Sequence, residues 1–171
     1  MKDLKKFDIK FSGLKLGSHS FDFELDDKFF DHFEYSEFTK PGISANVELI
    51  KKSNGLEIKV NLKGEVKVLC DISGDPFDLP IQGDLLVLVK YGEVYDDTNE
   101  DILVIPHGEH QVNVAQYLYE VTALAMPLKR VSPEVQKGEK GTEILKKLEN
   151  LSGGEESKTD PRWDKLKDLL N

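Results

Sequence analysis

Two alternating runs joined by a turn constrain this chain more than any other feature. From Leu56 to Lys63 every second residue is apolar, with Leu56, Ile58, Val60 and Leu62 on one side and Glu57, Lys59, Asn61 and Lys63 on the other. That is the pattern of a strand with one face buried and one face wet. Ile43 to Ile50 reads as a second strand, and Lys51 to Gly55 joins the two. Asn54-Gly55 is a strong hairpin signal, because both residues tolerate positive φ and so match the twist of the strands they connect. Gly64 interrupts the second run at a point where a bulge is expected, and Val66-Lys67-Val68 resumes the alternation toward Leu69. A chain carrying so long a hairpin must build a sheet around it.

The flanking segments extend the same reading. Lys6 to Phe11 and Ser20 to Leu25 alternate in turn, separated by Gly13 and Gly17, and are expected to pair as a hairpin. Cys70 to Pro76 is a turn by composition, Phe77 to Ile81 is extended, Asp84 to Tyr91 is a buried strand, and the acidic loop Tyr95 to Asp101 leads to a short strand at Ile102 to Ile105. Helical spacing appears twice in this part of the chain. Phe29, Phe30 and Phe33 predict a short helix near 27–34, capped by Asp26 or Asp27, with its phenylalanines in the core. Asn113 to Ala125 places Val114, Tyr117, Leu118, Val121 and Leu124 on one face and is ended by Pro127. The fold class is α+β: a curved or barrel-like antiparallel β-sheet with two or three short helices and a flexible C-terminal tail. The α+β core is expected over 1–131. Residues 132–158 read as linker, with Ser132-Pro133 and Lys137 to Gly141 before a short amphipathic helix that Thr142 caps and Ile144, Leu145, Leu148 and Leu151 make apolar. Ser152 to Lys158 is flexible by composition. In the C-terminal helical motif, 159–171, Asp160 serves as cap and Pro161 takes the first helical position.

At 171 residues with 39% hydrophobic content, the chain supports one core. No stretch approaches the roughly 20 apolar residues of a membrane helix, the N-terminus shows no apolar signal core, and there is one cysteine, Cys70. A cytoplasmic location is expected. The net charge of −9 opposes simple nucleic-acid binding, and it is unevenly placed. Residues 1–127 hold thirteen Lys/Arg against twenty-three Asp/Glu, whereas 128–171 hold ten against nine. An acidic front repels phosphates and attracts cationic surfaces, though the same charge also serves plain solubility.

Chemistry is sparse. His107 and His110 are the one histidine pair close in sequence, and a solvated connector explains them better than zinc, which needs a further ligand. Cys70 has no base beside it in sequence and reads as a small buried residue. Gly153-Gly154 lacks the preceding strand and the following Lys-Ser or Lys-Thr of a phosphate loop. Nothing here points to an enzyme.

Three segments in order, however, resemble the YceD-like family of bacterial large ribosomal RNA subunit accumulation proteins. They are the strand and turn Val68 to Phe77, the helix Tyr117 to Pro127 with its closing Leu124-Ala125-Met126-Pro127, and the terminal Asp160-Pro161-Arg162-Trp163-Asp164-Lys165-Leu166. The resemblance implies a role in accumulation of large-subunit (23S) ribosomal RNA, and so in ribosome biogenesis. Members with a Cys-x-x-Cys turn often carry a further cysteine or histidine pair after the helix, which implies a structural metal. Here the second turn position is Ser73, and Leu128 to Pro133 supplies no thiol or imidazole, so no metal and no cofactor are expected.

Function is then expected to be binding, of ribosomal RNA or of a large-subunit ribosomal protein, with no membrane and no small-molecule substrate involved. Candidate contacts are Arg162, Trp163 and Lys165 in the tail and Lys129 and Arg130 after the helix. Trp163 is as readily a core residue folded back on the sheet. The alternative is an acidic protein-interaction or chaperone-like module with no direct rRNA role.

Overall fold

The computed structural model describes residues 3–33, 37–99, 102–138, 141 and 146–147. They fall into two compact units, one formed by the described residues up to Cys70 with those from Asp75 to Arg130, the other by Asp71–Gly74 with the described residues from Val131 onward.

The first unit is built on the long hairpin. β3 (Thr39–Lys52) and β4 (Gly55–Leu69) pair antiparallel from Thr39↔Lys67 to Lys52↔Gly55. The turn therefore holds only Ser53 and Asn54. The described residues with positive φ are Lys40 and Gly17, Gly74, Gly138 and Gly141. Asn54 and Gly55 are not among them, so the turn does not use the left-handed geometry that Asn-Gly predicts. Gly55 is required for another reason: a Cβ there would lie 2.5 Å from the Val89 carbonyl oxygen of the neighbouring strand. The bulge expected at Gly64 sits opposite it. Between Thr39 and Gly42 the register slips by one residue, and Lys40 enters the left-handed region at φ 49°. Gly64 is the smooth partner that lets the bulged strand approach.

β5 (Pro76–Gly92) pairs along the whole of β4, merging the two extended segments read from sequence into one 17-residue strand. Pro80 is tolerated inside it because β6 (Ile102–Pro106) covers only Leu88 to Gly92, leaving the Pro80 stretch as an open edge. β6 runs parallel to β5, so the sheet is mixed. With β2 (Gly17–Leu25) beyond β3, the order is β2-β3-β4-β5-β6. This is an open sheet with β2 and β6 as its edges. The expectation of a curved or barrel-like antiparallel sheet holds only in part: β2 to β5 pair antiparallel, but the acidic loop brings β6 back in the direction of β5, and β2 never reaches β6 to close a barrel.

The predicted N-terminal hairpin also does not form. β1 (Asp8–Lys10) pairs with β7 (Gln111–Asn113), and β2 pairs with β3. Local alternation marks both segments as strands but cannot choose their partners. Lys51 holds the connection between them, donating from Nζ to the carbonyl oxygens of Phe11 (2.8 Å) and Leu14 (2.9 Å).

One face of the sheet is buried through Ala45, Val47 and Leu49 on β3, Ile58, Val60 and Leu62 on β4, and Val87 and Val89 on β5. α1 (Asp27–Phe30) starts where expected, with the Asp26 carboxylate accepting from the Phe29 amide at 3.1 Å. Its Phe29 and Phe30 are buried, and an edge-to-face chain of rings links Phe7, Phe29 and Phe30 at 4.8 Å spacings. α2 (Ala115–Leu124) lies against β4 and β5. Gly83 is its seat, since a Cβ there would meet Val121 Cγ1 at 2.9 Å and Ala125 Cβ at 3.3 Å.

In the second unit Ser132 caps α3 (Pro133–Gln136), accepting from the Val135 amide, so Ser132-Pro133 begins a helix where the sequence reads as linker. Val135 is buried. The amphipathic helix expected from Thr142 to Leu151 lies outside the described residues except for the helical pair Lys146–Lys147, and the C-terminal motif lies outside them entirely.

Candidate functional site

α2 carries more apolar surface than its contact with the sheet consumes. Its inner face is Ala115, Leu118, Val121 and Thr122, all buried, and the Thr122 hydroxyl is satisfied by donating to the Leu118 carbonyl at 2.8 Å. Leu124, expected on that face, is instead 80% exposed. With Val121 and Ala125 seated on Gly83, Ala123 and Leu124 are left exposed on the outer face, and Tyr117 and Tyr119 are partly buried along its edges.

Two clefts follow that outer face. The larger, about 510 Å³, is lined by Leu85, Tyr95, Asp97, Tyr117, Glu120 and Leu124, among others. The smaller, about 260 Å³, lies between Phe30, Phe38, Met126, Pro127 and Leu128. Tyr119 and Ala123 line both, so the surface is continuous. Tyr119 is fixed from beneath by stacking on Phe33, with ring centroids 4.1 Å apart and planes 6° from parallel. Phe33, expected in the core with Phe29 and Phe30, is only partly buried: it packs against the core from its edge and supports the cleft.

The acidic loop forms the far wall. Asp96 is tied to β6 by two backbone bonds with Val104 (3.0 and 2.8 Å), and its carboxylate accepts from the Thr98 amide and hydroxyl. Those two bonds hold the Asp96 carboxyl below its ordinary pKa. The adjacent Tyr95, 55% exposed, donates its hydroxyl to Asp97 at 3.2 Å. Across the cleft the Gln116 amide donates to Glu120 at 2.7 Å. Burial first, and then the nearby Tyr95, Glu120 and Asp97, push Tyr117 up to about 12, keeping its phenol neutral. No lysine or arginine is among the described residues lining this cleft. It is an aromatic and apolar groove with an acidic rim.

The opposite face of the sheet is also concave, over about 730 Å³, but its polar residues bond one another. Asn46 donates to Ser20 and Asp22, both at 2.7 Å, and Ser44 donates to Glu24 at 3.1 Å. Such a cross-strand ladder is the ordinary solvated face of a half-buried sheet.

Of the sequence-predicted contacts, Lys129 is exposed beside the fully exposed Leu128. The Arg130 side chain is 19% exposed and ion-paired with Glu37, which pins the segment after α2 to the loop before β3. Arg162, Trp163 and Lys165 lie outside the described residues. His107 stacks on Tyr91 (5.9 Å), while His19 and His32 bond the Lys15 and Lys28 carbonyls. Cys70 is buried at the end of β4, where its amide donates to Asp75 across the turn. Sequence reasoning passed over the cleft residues Tyr95, Tyr119 and Leu85. The available signal was a helix with bulky apolar or aromatic side chains on more than one stripe.

The family model described as "Large ribosomal RNA subunit accumulation protein YceD" matches residues 58–170, about two-thirds of the chain. The chain belongs to the YceD family. The match starts within β4 and contains the Cys70 turn, the acidic loop, α2 and the terminal Asp160-Pro161-Arg162 segment that carried the resemblance in sequence. Every residue named in the larger cleft falls inside the YceD span. No curated protein and no solved structure matches the chain.

Proposed function

We propose that this YceD-family chain is a non-enzymatic ribosome-biogenesis factor of the bacterial cytoplasm. It supports accumulation of 23S ribosomal RNA by binding a basic large-subunit ribosomal protein. Family membership supports the process. The observation that carries the choice of partner is the acid-rimmed tyrosine cleft, which repels phosphate and suits a cation-bearing protein surface. Lys129 and the tail residues Arg162, Trp163 and Lys165 are proposed as secondary contacts that reach the same particle.

Deleting the protein should lower large subunits relative to small subunits on sucrose gradients. A deletion strain with unchanged subunit ratios, in the cold as well as at ordinary growth temperature, would defeat the proposal. The chaperone-like alternative predicts that second result together with retained binding to basic proteins.

A further inference from the structure

We propose that the cleft between α2 and the acidic loop docks a cationic, apolar segment of a protein partner, in which Lys or Arg side chains are interleaved with large apolar ones. The inference deepens the functional reading above and rests on it for the identity of the partner's particle, not for the chemistry of the cleft.

Charge and shape both select this occupant. Leu85, partly buried, and Leu124, 80% exposed, line the cleft together and offer apolar side chains a contiguous surface to cover. Tyr95, Tyr117 and Tyr119 line the cleft, and tyrosine rings attract ammonium and guanidinium groups as well as packing against methylenes. Asp97 and Glu120 stand on opposite walls, and their bonds come from neutral donors, the Tyr95 hydroxyl and the Gln116 amide, so their negative charge is not neutralised by those contacts. A phosphate backbone would meet two carboxylates there and no cation among the described lining residues. Asp96, on the same loop, adds a further carboxylate held in its charged form by the Thr98 amide and hydroxyl. Cations of the segment would sit at the rim, with its apolar side chains between Tyr117 and Leu124.

The test titrates the full-length protein into a fluorescein-labelled amphipathic lysine–leucine peptide and follows anisotropy. The double variant Asp97→Lys/Glu120→Lys should weaken binding about tenfold or more, and Leu124→Asp by a similar factor. The control Asp22→Lys/Asp84→Lys makes the same change in net charge on the opposite face of the sheet and should stay within about threefold of wild type. Melting temperatures of the variants should stay close to wild type, because Asp22, Asp84, Asp97 and Leu124 are exposed and Glu120 is only partly buried. Equal losses in the two double variants would mean that net charge alone attracts the peptide, overturning the proposal. So would loss of binding to a single-stranded RNA oligomer, instead of the peptide, in the cleft variants. A synthetic peptide of residues 158–171 that displaces the probe from wild type at comparable concentration would overturn it in favour of the chain's own tail. Expressed in the deletion strain, Leu124→Asp should fail to restore subunit ratios. Full rescue by it would remove the cleft from the ribosomal role while leaving that role intact. Normal ratios in the deletion strain itself, with peptide binding still lost in the cleft variants, would uphold the cleft and sink the ribosomal reading.

Discussion

Replacing Gly64 by alanine tests how the bulge joins β3 to β4. A Cβ at Gly64 would stand 2.3 Å from the Gly42 carbonyl oxygen and 2.6 Å from Ile43 Cα. Both neighbours are backbone, so no rotamer change relieves the contact, and ordinary separation of about 3.5 Å requires the strands to part by roughly 1 Å. Overpacking of this kind costs about 1–3 kcal/mol, and the upper end applies when the obstruction cannot move. Alanine recovers about 0.5–1 kcal/mol of backbone entropy relative to glycine, leaving a net loss of about 2–2.5 kcal/mol. For a chain of this size that is a drop of about 4–10 °C in melting temperature, read by circular dichroism. Gly13→Ala is the matched control: nothing lies within 4 Å of its Cβ and its φ is not positive, so it should be neutral or slightly stabilising. A Gly64→Ala protein melting within about 1 °C of the Gly13→Ala protein would refute the close-approach reasoning.

Three further outcomes are expected. Leu118→Ala empties a fully buried position under α2 and should cost about 2–5 kcal/mol by urea unfolding, whereas Leu124→Ala should change stability little. Tyr117 should ionise well above the ordinary tyrosine value, near 12, in a tyrosinate absorbance titration compared with Tyr117→Phe. Because the folded protein keeps that proton longer than the unfolded chain does, its stabilising contribution is complete below pH 10 and is lost as pH climbs from 10 toward 12. The purified protein should carry no stoichiometric zinc and should melt unchanged in chelator, since the turn offers Cys70 but Ser73 at the second ligand position.

The residues by themselves determined everything that depends on near neighbours. Alternation at Leu56 to Leu62 set which face of β4 is buried, because side chains on a strand must point to opposite sides. Asp26 set the start of α1, because its carboxylate reaches an amide only three residues away. The Cys70 turn, the helix closing on Pro127 and the terminal Asp-Pro-Arg identified the family, since local motifs survive without any knowledge of the fold. The tertiary structure decided whatever needed a distant partner. Lys6 to Phe11 alternates as well for β7 as for β2, and only the pairing of Asp8 with Asn113 chose between them. The direction of β6 depended on how the acidic loop folds back past Val104. The cleft depended on helix rotation. A period of 3.6 allows Tyr117, Val121 and Leu124 to share a face about as well as Leu118, Val121 and Thr122 do. The missing Cβ at Gly83, 32 residues before the start of α2, settled which stripe lies on the sheet and which is left exposed.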